Sequence, residues 1–369
     1  MARSAGGTDF TSALFLGQHH PSAALAPWAE FTTGVPAPLR ELPAAAELAS
    51  LVAAQQHADG SLVARSALHG MMDVLQSLPR PGDVLLVDED AYPLAQWACR
   101  ASLPRGVRVV TYPHFRPAAV VPPNRSVPPN RTVPSARTVP SARTWVVTDG
   151  WCQGCGRPAP LAELQAIAAK TGGQVIVDDS LAFGVLGRTS GPGGFGDGTG
   201  TARWLGLSHD RLLWLGSLAK AYGTPVTVIT GDSTTVGVVA RNGGNRMHSS
   251  PPSAADLAAG LGALRSGGLP RLRRRLWRLT LWLRTAFADL GLPPMGLPFP
   301  IVGTRLGSLP LARRWRTALA ARGVQALVQL PRCRPGAVLS AVVRADHSQA
   351  DLDRLVRGLA AVTRDRRAA

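Results

Sequence analysis

Short apolar runs alternate along this chain with segments of helical period, and that alternation restricts the fold more than any other feature. Val84–Asp88, Val107–Tyr112, Trp145–Asp149 and Val175–Asp178 read as strands, and an apolar strand-like run begins at Leu212 and breaks into a small-residue turn near Gly216. Ala44–Gln56, Ser66–Leu78, Tyr92–Ala101 and Leu161–Lys170 read as helices. Strands separated by helices of this length give a largely parallel sheet covered on both faces, with ligands at the carboxyl ends of the strands. Beyond the helices between Ala254 and Leu290 the pattern changes. Pro300–Gly303, a helix over Pro310–Arg322, strands near Val324–Leu330 and Ala337–Val343, and a last helix over Gln349–Val362 suggest a small α+β C-terminal domain. The expected organisation is an α/β protein with an N-terminal segment over 1–45, a large domain over 46–264 and a small domain over 265–369.

Of 40 basic residues only two, Lys170 and Lys220, are lysines. In so arginine-rich a chain a retained lysine has chemical weight, because an amine forms a Schiff base with an aldehyde and a guanidinium does not usefully do so. Lys220 follows the strand that starts at Leu212, and the Val175 strand before it ends in Asp178-Asp179. One strand ending in a carboxylate and the next in a lysine is what a pyridoxal 5'-phosphate (PLP) enzyme needs: the carboxylate keeps the pyridine nitrogen protonated and the lysine holds the aldehyde. Lys170 closes a helix before Thr171-Gly172, where an exposed terminus is expected.

The 45% hydrophobic content is enough for a sizeable core. No uncharged apolar run reaches about 18 residues, and Met1–Gly7 lacks an apolar signal core, so a cytoplasmic protein without a membrane partner is expected. A net charge of +17 bears on solubility and nonspecific binding rather than on fold. The densest basic stretch, Arg271–Arg278, interleaves leucine and tryptophan and reads as a surface helix with a solvated arginine face. No nucleic-acid motif accompanies it, and no nucleic-acid partner is expected. Four scattered cysteines argue against a disulfide framework. Cys152-Gln153-Gly154-Cys155 has metal or redox spacing, but no second pair or nearby histidine completes a site in the sequence, so two ordinary loop thiols and no metal are expected.

Residues 121–144 form four tandem hexapeptides, two of Val-Pro-Pro-Asn-Arg-Ser/Thr and two of Val-Pro-Ser-Ala-Arg-Thr. Regular proline blocks helix and central strand, so this stretch reads as an extended, solvated insertion in a short connection between the strands that flank it. Two other motifs lead nowhere. Ser217-Leu218-Ala219-Lys220 fits the S-x-x-K pattern of penicillin-recognising acyl enzymes, but Lys170-Thr171-Gly172 precedes it instead of following, and no Ser-Asp-Asn is present. The glycine-rich run 191–200 does not lead from a strand into a clear helix, so it reads as a surface loop rather than a dinucleotide site.

Asp178–Gly187 followed by Gly216–Gly223 resembles the PLP-dependent α-oxoamine synthases, the 8-amino-7-oxononanoate synthase group of the class I/II aminotransferase fold (fold type I). Asp9–Gly17 is similar to that group's N-terminal segment, and Ala345-Asp346-His347 with Asp351–Leu355 to its C-terminal end. The resemblance implies that Lys220 carries the cofactor aldehyde, Asp178 pairs with the pyridine nitrogen, and Ser217 bonds the phosphate. Tyr92 takes the place of a ring stacked on the cofactor, unless it is a core aromatic at a helix start. The helix opening near Ser66-Ala67 offers amides to the phosphate, and Ser249 and Ser250 match a stretch that reaches the phosphate of the neighbouring subunit, which implies a homodimer.

Departures from the family pattern are equally specific. Leu181 stands where the family has a histidine on the cofactor's phenolic oxygen, and Ala13 where it has an asparagine. The arginine that binds the substrate carboxylate falls near Val338 or Ser340, neither charged. The expected activity is condensation of an amine or amino acid with an acyl thioester, on CoA or a carrier protein. Transamination of an amine, or a decayed fold kept as a scaffold, are the alternatives.

Overall fold

The computed structural model describes residues 7–20, 41–116, 142–189 and 193–368, with no account of the side chains of 365–368. The tandem repeat over 121–141 lies outside the described residues. The chain opens with β1 (Thr8–Asp9) and α1 (Pro43–Gln56), then β2 (Gly60–Ala64), α2 (Ala67–Ser77), β3 (Val84–Asp88), α3 (Pro93–Ala101) and β4 (Arg108–Tyr112). There follow β5 (Thr144–Asp149), the short β6 (Trp151–Cys152) and β7 (Arg157–Pro158), α4 (Leu161–Ala169), β8 (Val175–Asp178), α5 (Thr201–Trp204), β9 (Leu212–Ser217) and β10 (Thr227–Gly231). The rest is α6 (Ser233–Asn242), α7 (Gly244–His248), α8 (Ala254–Leu264), α9 (Leu269–Asp289), β11 (Ile301–Arg305), α10 (Leu309–Ala320), β12 (Val324–Gln325), β13 (Leu327–Gln329), β14 (Val338–Val342) and α11 (Gln349–Ala368).

The main sheet has seven strands in the order β2-β10-β9-β8-β5-β3-β4. From β9 to β4 every pairing is parallel; β10 alone runs antiparallel, to both β9 and β2. β3, β8 and β9 are buried along their whole length, as parallel strands covered on both faces must be. Successive side chains feed two cores. Val175, Val177, Leu212 and Trp214 join Leu48 and Val52 of α1 on one face, while Ile176, Leu213 and Leu215 join Met71 and Val74 of α2 on the other. A separate antiparallel sheet, β11-β14-β13, follows in the C-terminal region, and β1 pairs with β12. Among the described residues no helix is long and apolar enough to cross a membrane.

Two expectations need correction. β4 and β5 are not neighbours: β3 lies between them and runs parallel to both, so residues 113–143 make a crossover rather than a short link between adjacent strands. The arginine face of α9 is not simply solvated either. Arg273 is buried and donates from Nε to the Gly184 carbonyl at 2.8 Å, and Arg275 donates to the carbonyls of Ala345 and His347 at 2.6 and 2.9 Å. Both guanidinium groups satisfy backbone acceptors that end segments remote in sequence, while Leu276, Leu283 and Phe287 fill the core side of the same helix.

The crossover returns to the sheet at Asp83. Its carboxylate accepts from Arg80 N (3.0 Å), Arg143 N (3.0 Å), Arg143 Nη2 (3.2 Å) and Trp145 Nε1 (3.0 Å). Burial pushes this carboxyl up, but the donors outweigh it and hold it below the ordinary aspartate value. A depressed folded pKa contributes stability that is present above the unfolded value near 3.9 and is lost as pH falls through the folded one. Asp83→Ala should therefore cost about 2–4 kcal/mol at pH 7, because a buried acceptor of four donors is removed. Urea titrations should show that penalty shrinking below about pH 4; an unchanged penalty at pH 3 would contradict the account.

Candidate active site

β5, β8 and β9 end side by side. Asp149 and Asp178 are register partners across β5 and β8, and Asp178 stands opposite Leu215 on β9. After β9 the chain turns through Ser217–Lys220, so residues from neighbouring strand ends face one cavity of about 550 Å³. Its wall includes Asp178, Ser180, Leu181, Ser217 and Lys220 from this side, Ala67, Tyr92 and Asp149 from the first half of the chain, and Arg332 and Cys333 from the loop after β13.

Asp178 is buried, and its Oδ1 accepts from Ser180 N at 3.0 Å. The Ser180 hydroxyl accepts from Ser217 N at 3.1 Å, which ties the end of β8 to the end of β9. Lys220 is half-buried and makes no hydrogen bond or ion pair with the described residues. Asp179 points the other way. It is sealed off and accepts from Thr201 N (2.7 Å), Thr201 Oγ1 (2.6 Å) and Trp214 Nε1 (3.0 Å). Burial, more than these donors can offset, raises its carboxyl to about 6.

Tyr92 caps α3 at the cavity rim. Its backbone N–H donates to Asp149 Oδ2 at 2.9 Å, and the residue is 54% exposed, which excludes a core aromatic. Asp149 itself is pushed well above the ordinary carboxylate range by burial and then by the neighbouring Asp178. Ser66 is the N-cap of α2: its hydroxyl accepts from His69 N at 3.3 Å and lies 2.7 Å from His69 Nδ1. Ala67 follows at the cavity wall, where the first amides of a helix have no intrahelical partner. Ser249 and Ser250 are not brought to this cavity; they line a small separate cleft with Arg65 and His69.

Sequence reasoning missed several neighbours. Asp149 ends a strand as Asp178 does, a signal that was legible. Arg332 and Ser180 carried no local signal. The expectation of two ordinary thiols at Cys152 and Cys155 is corrected by the fold, which brings Cys333 and His114 to them. Leu181, at the place of the family histidine, is an apolar part of the wall. Ser340 is buried on β14 and donates to Gln329 Oε1 at 3.0 Å; Gln329 lines the cavity, whereas Ser340 itself does not.

The mostly parallel sheet flanked by helices is the fold of solved fold type I PLP-dependent enzymes. The chain superposes on a serine palmitoyltransferase of S. paucimobilis solved with a bound PLP–myriocin aldimine, with a TM-score of 0.80 at 18% identity over 98% of this chain and 89% of that one. It superposes on an 8-amino-7-oxononanoate synthase of Francisella tularensis with a TM-score of 0.77 at 16% identity, over 98% of each. In sequence it is similar to the 8-amino-7-oxononanoate synthase of Halorhodospira halophila, 33% identical over 226 residues, 59% of this chain and 54% of that protein. A putative 8-amino-7-oxononanoate synthase of Bacillus licheniformis is 26% identical over 321 residues, 85% and 77% of the two chains. The first of these sequence matches spans about half of the relative's length. No family model matches the chain. The resemblance to the α-oxoamine synthases read from the motifs therefore holds across the fold and in sequence relatives.

The two adjacent aspartates should separate cleanly by stability. Asp179→Ala strands three buried donors and should cost about 3 kcal/mol in urea unfolding, whereas Asp178→Ala loses one backbone bond at a cavity wall and should cost about 1 kcal/mol. Equal losses would contradict the division of roles.

Proposed function

We propose that this chain is a PLP-dependent transferase that condenses an amino acid with an acyl thioester, acting as a cytoplasmic homodimer. The observation that carries the reading is the meeting, in one cavity at parallel strand ends, of Asp178 and a Lys220 that has no partner among the described residues. The similarity to 8-amino-7-oxononanoate synthases and the PLP bound in the serine palmitoyltransferase neighbour support it. When bound, PLP supplies an aldehyde for Schiff-base chemistry and a pyridinium that draws electrons from the substrate.

The residues present fit that group. Among the described residues Asp178 keeps one oxygen clear of donors and would hold a proton on the pyridine nitrogen by charge. Lys220, with no partner among the described residues, would hold the aldehyde and, when free, would take and give back a proton at the substrate's α carbon. The Tyr92 ring offers an apolar face to the pyridine, and Ser217 with the opening of α2 receives the phosphate. In this reading Ser249 and Ser250 serve the site of a second subunit, which accounts for their distance from the cavity of their own chain. Residues 46–264 act as the cofactor-binding domain, and 265–369 contribute Arg332.

In this reading Arg332 would supply the missing carboxylate anchor. Its Nη2 donates to the Ala91 carbonyl, and it lines the cavity. A guanidinium there can take an amino-acid carboxylate by charge-assisted hydrogen bonds, a task that neither Val338 nor Ser340 can perform. Thiol release from acyl thioesters, followed across a panel of amino acids with PLP present, tests the reading; no release with any pair would overturn it. Asp178→Asn should lower kcat at least about 100-fold while PLP still binds. Arg332→Met should raise KM for the amino acid about 10-fold or more with a smaller effect on kcat. Unchanged kinetics in either variant would remove that residue from its role.

A further inference from the structure

β6 and β7 form a hairpin in which Cys152 ends β6 and Cys155 lies in the turn. Cys155 N donates to Cys152 Sγ at 3.4 Å, and Gly156, at φ 63, donates to the Cys152 carbonyl at 2.8 Å. Both bonds wrap the turn so that its two sulfurs face the same side. Cys333, from the loop after β13, brings its Sγ to 3.7 Å from Cys152 Sγ. His114, from the loop after β4, brings Nε2 to 3.6 Å from Cys155 Sγ. All four donor atoms lie within 4.8 Å of one another.

These separations can be set against coordination geometry. Zinc–sulfur bonds of about 2.3 Å and zinc–nitrogen bonds of about 2.0–2.1 Å at tetrahedral angles give S···S edges of about 3.8 Å and S···N edges of about 3.6 Å. The observed 3.7 and 3.6 Å fall on those edges. The imidazole is oriented as a ligand: Nδ1 is 2.8 Å from Asp88 Oδ1 and donates to it, which leaves Nε2 as the ring nitrogen that faces the thiols. A carboxylate behind the distal nitrogen is the usual support of a metal-bound histidine. Asp88 is wholly buried and is itself held by Asp90 N at 2.9 Å and Phe115 N at 3.3 Å. Gly154 completes the cradle, because a Cβ there would lie 2.7 Å from Cys333 Sγ and push the third thiol away. The three cysteines are free thiols.

We propose that Cys152, Cys155, Cys333 and His114 bind one zinc ion as a closed structural site. Binding releases the three thiol protons to solvent and leaves three thiolates and a neutral imidazole on the metal. With four protein ligands there is no open position for a water or substrate, so the ion's role is structural. It joins the β6–β7 hairpin and the loop carrying Arg332, both of which reach the cavity wall, to the loop after β4. The proposal does not depend on the reaction assigned to the cavity, since its test reads metal and not turnover.

The test is metal analysis of the full-length protein purified from zinc-supplemented medium. About one zinc per chain is expected, released when a mercurial blocks the thiols in the presence of a chromophoric chelator. Cobalt(II) added to the metal-free protein should give the intense visible bands of a tetrahedral thiolate site. The double variant Cys155→Ser with Cys333→Ser should hold less than about 0.2 zinc, and Asp88→Asn should weaken affinity about 10- to 100-fold. Should the double variant fail to fold, the cobalt spectrum of the wild type still decides. A wild type holding less than about 0.2 zinc after incubation with equimolar metal overturns the proposal. So does zinc that persists in a folded double variant, or a native disulfide between any two of the three cysteines.

Discussion

The Asp179 carboxylate, sealed from solvent, accepts two bonds from Thr201 and one from Trp214, and so fastens the end of β8 to β9 and to the start of α5. The backbone is shaped around it. A Cβ at Gly150 or at Gly200, the latter at φ 98, would overlap its oxygens, so both positions need glycine. With Asp179 turned inward, the alternation of a strand forces Asp178 the opposite way, into the cavity. Ser180 then reaches from Asp178 to Ser217 and sets the turn that carries Lys220. The cost of burying that carboxylate shows in its raised pKa of about 6. It is a cost accepted at the point where two strand ends must stay in register.

Much of this was legible in the sequence. Val175–Asp178 and Leu212–Ser217 announce themselves because buried parallel strands are continuous apolar runs, and the residues that break those runs are the ones that face the cavity. The edge of the sheet was less legible. β2 and β10 are five residues each, and the threonines and glycine of Thr227–Gly231 dilute its apolar signal. Periodicity also could not say that Arg273 and Arg275 would be used up on the carbonyls of Gly184, Ala345 and His347, since those partners lie far along the chain. The order of β4, β3 and β5 was hidden for the same reason, and with it the true nature of the 113–143 crossover.

The thiol cluster is the clearest case of information that exists only in three dimensions. Cys152 and Cys155 have the spacing of a metal knuckle, yet their partners stand 181 and 41 residues away. Cys333 adjoins Arg332, so the geometry of the cluster also sets where the cavity's guanidinium sits. Leu181 and Arg332 flank the strand-end pair of Asp178 and Lys220 in the cavity wall, one apolar and one cationic.

The central claim is that Lys220 and not Lys170 is the nucleophilic amine of this chain. Lys170 closes α4 and is absent from the cavity wall, whereas Lys220 lines it. Incubation with PLP, reduction with borohydride and peptide mass mapping test this directly. The account requires one reduced pyridoxyl group per chain on the peptide that contains Lys220, lost in Lys220→Ala and kept in Lys170→Ala. A label on Lys170, or none on either lysine, would contradict it.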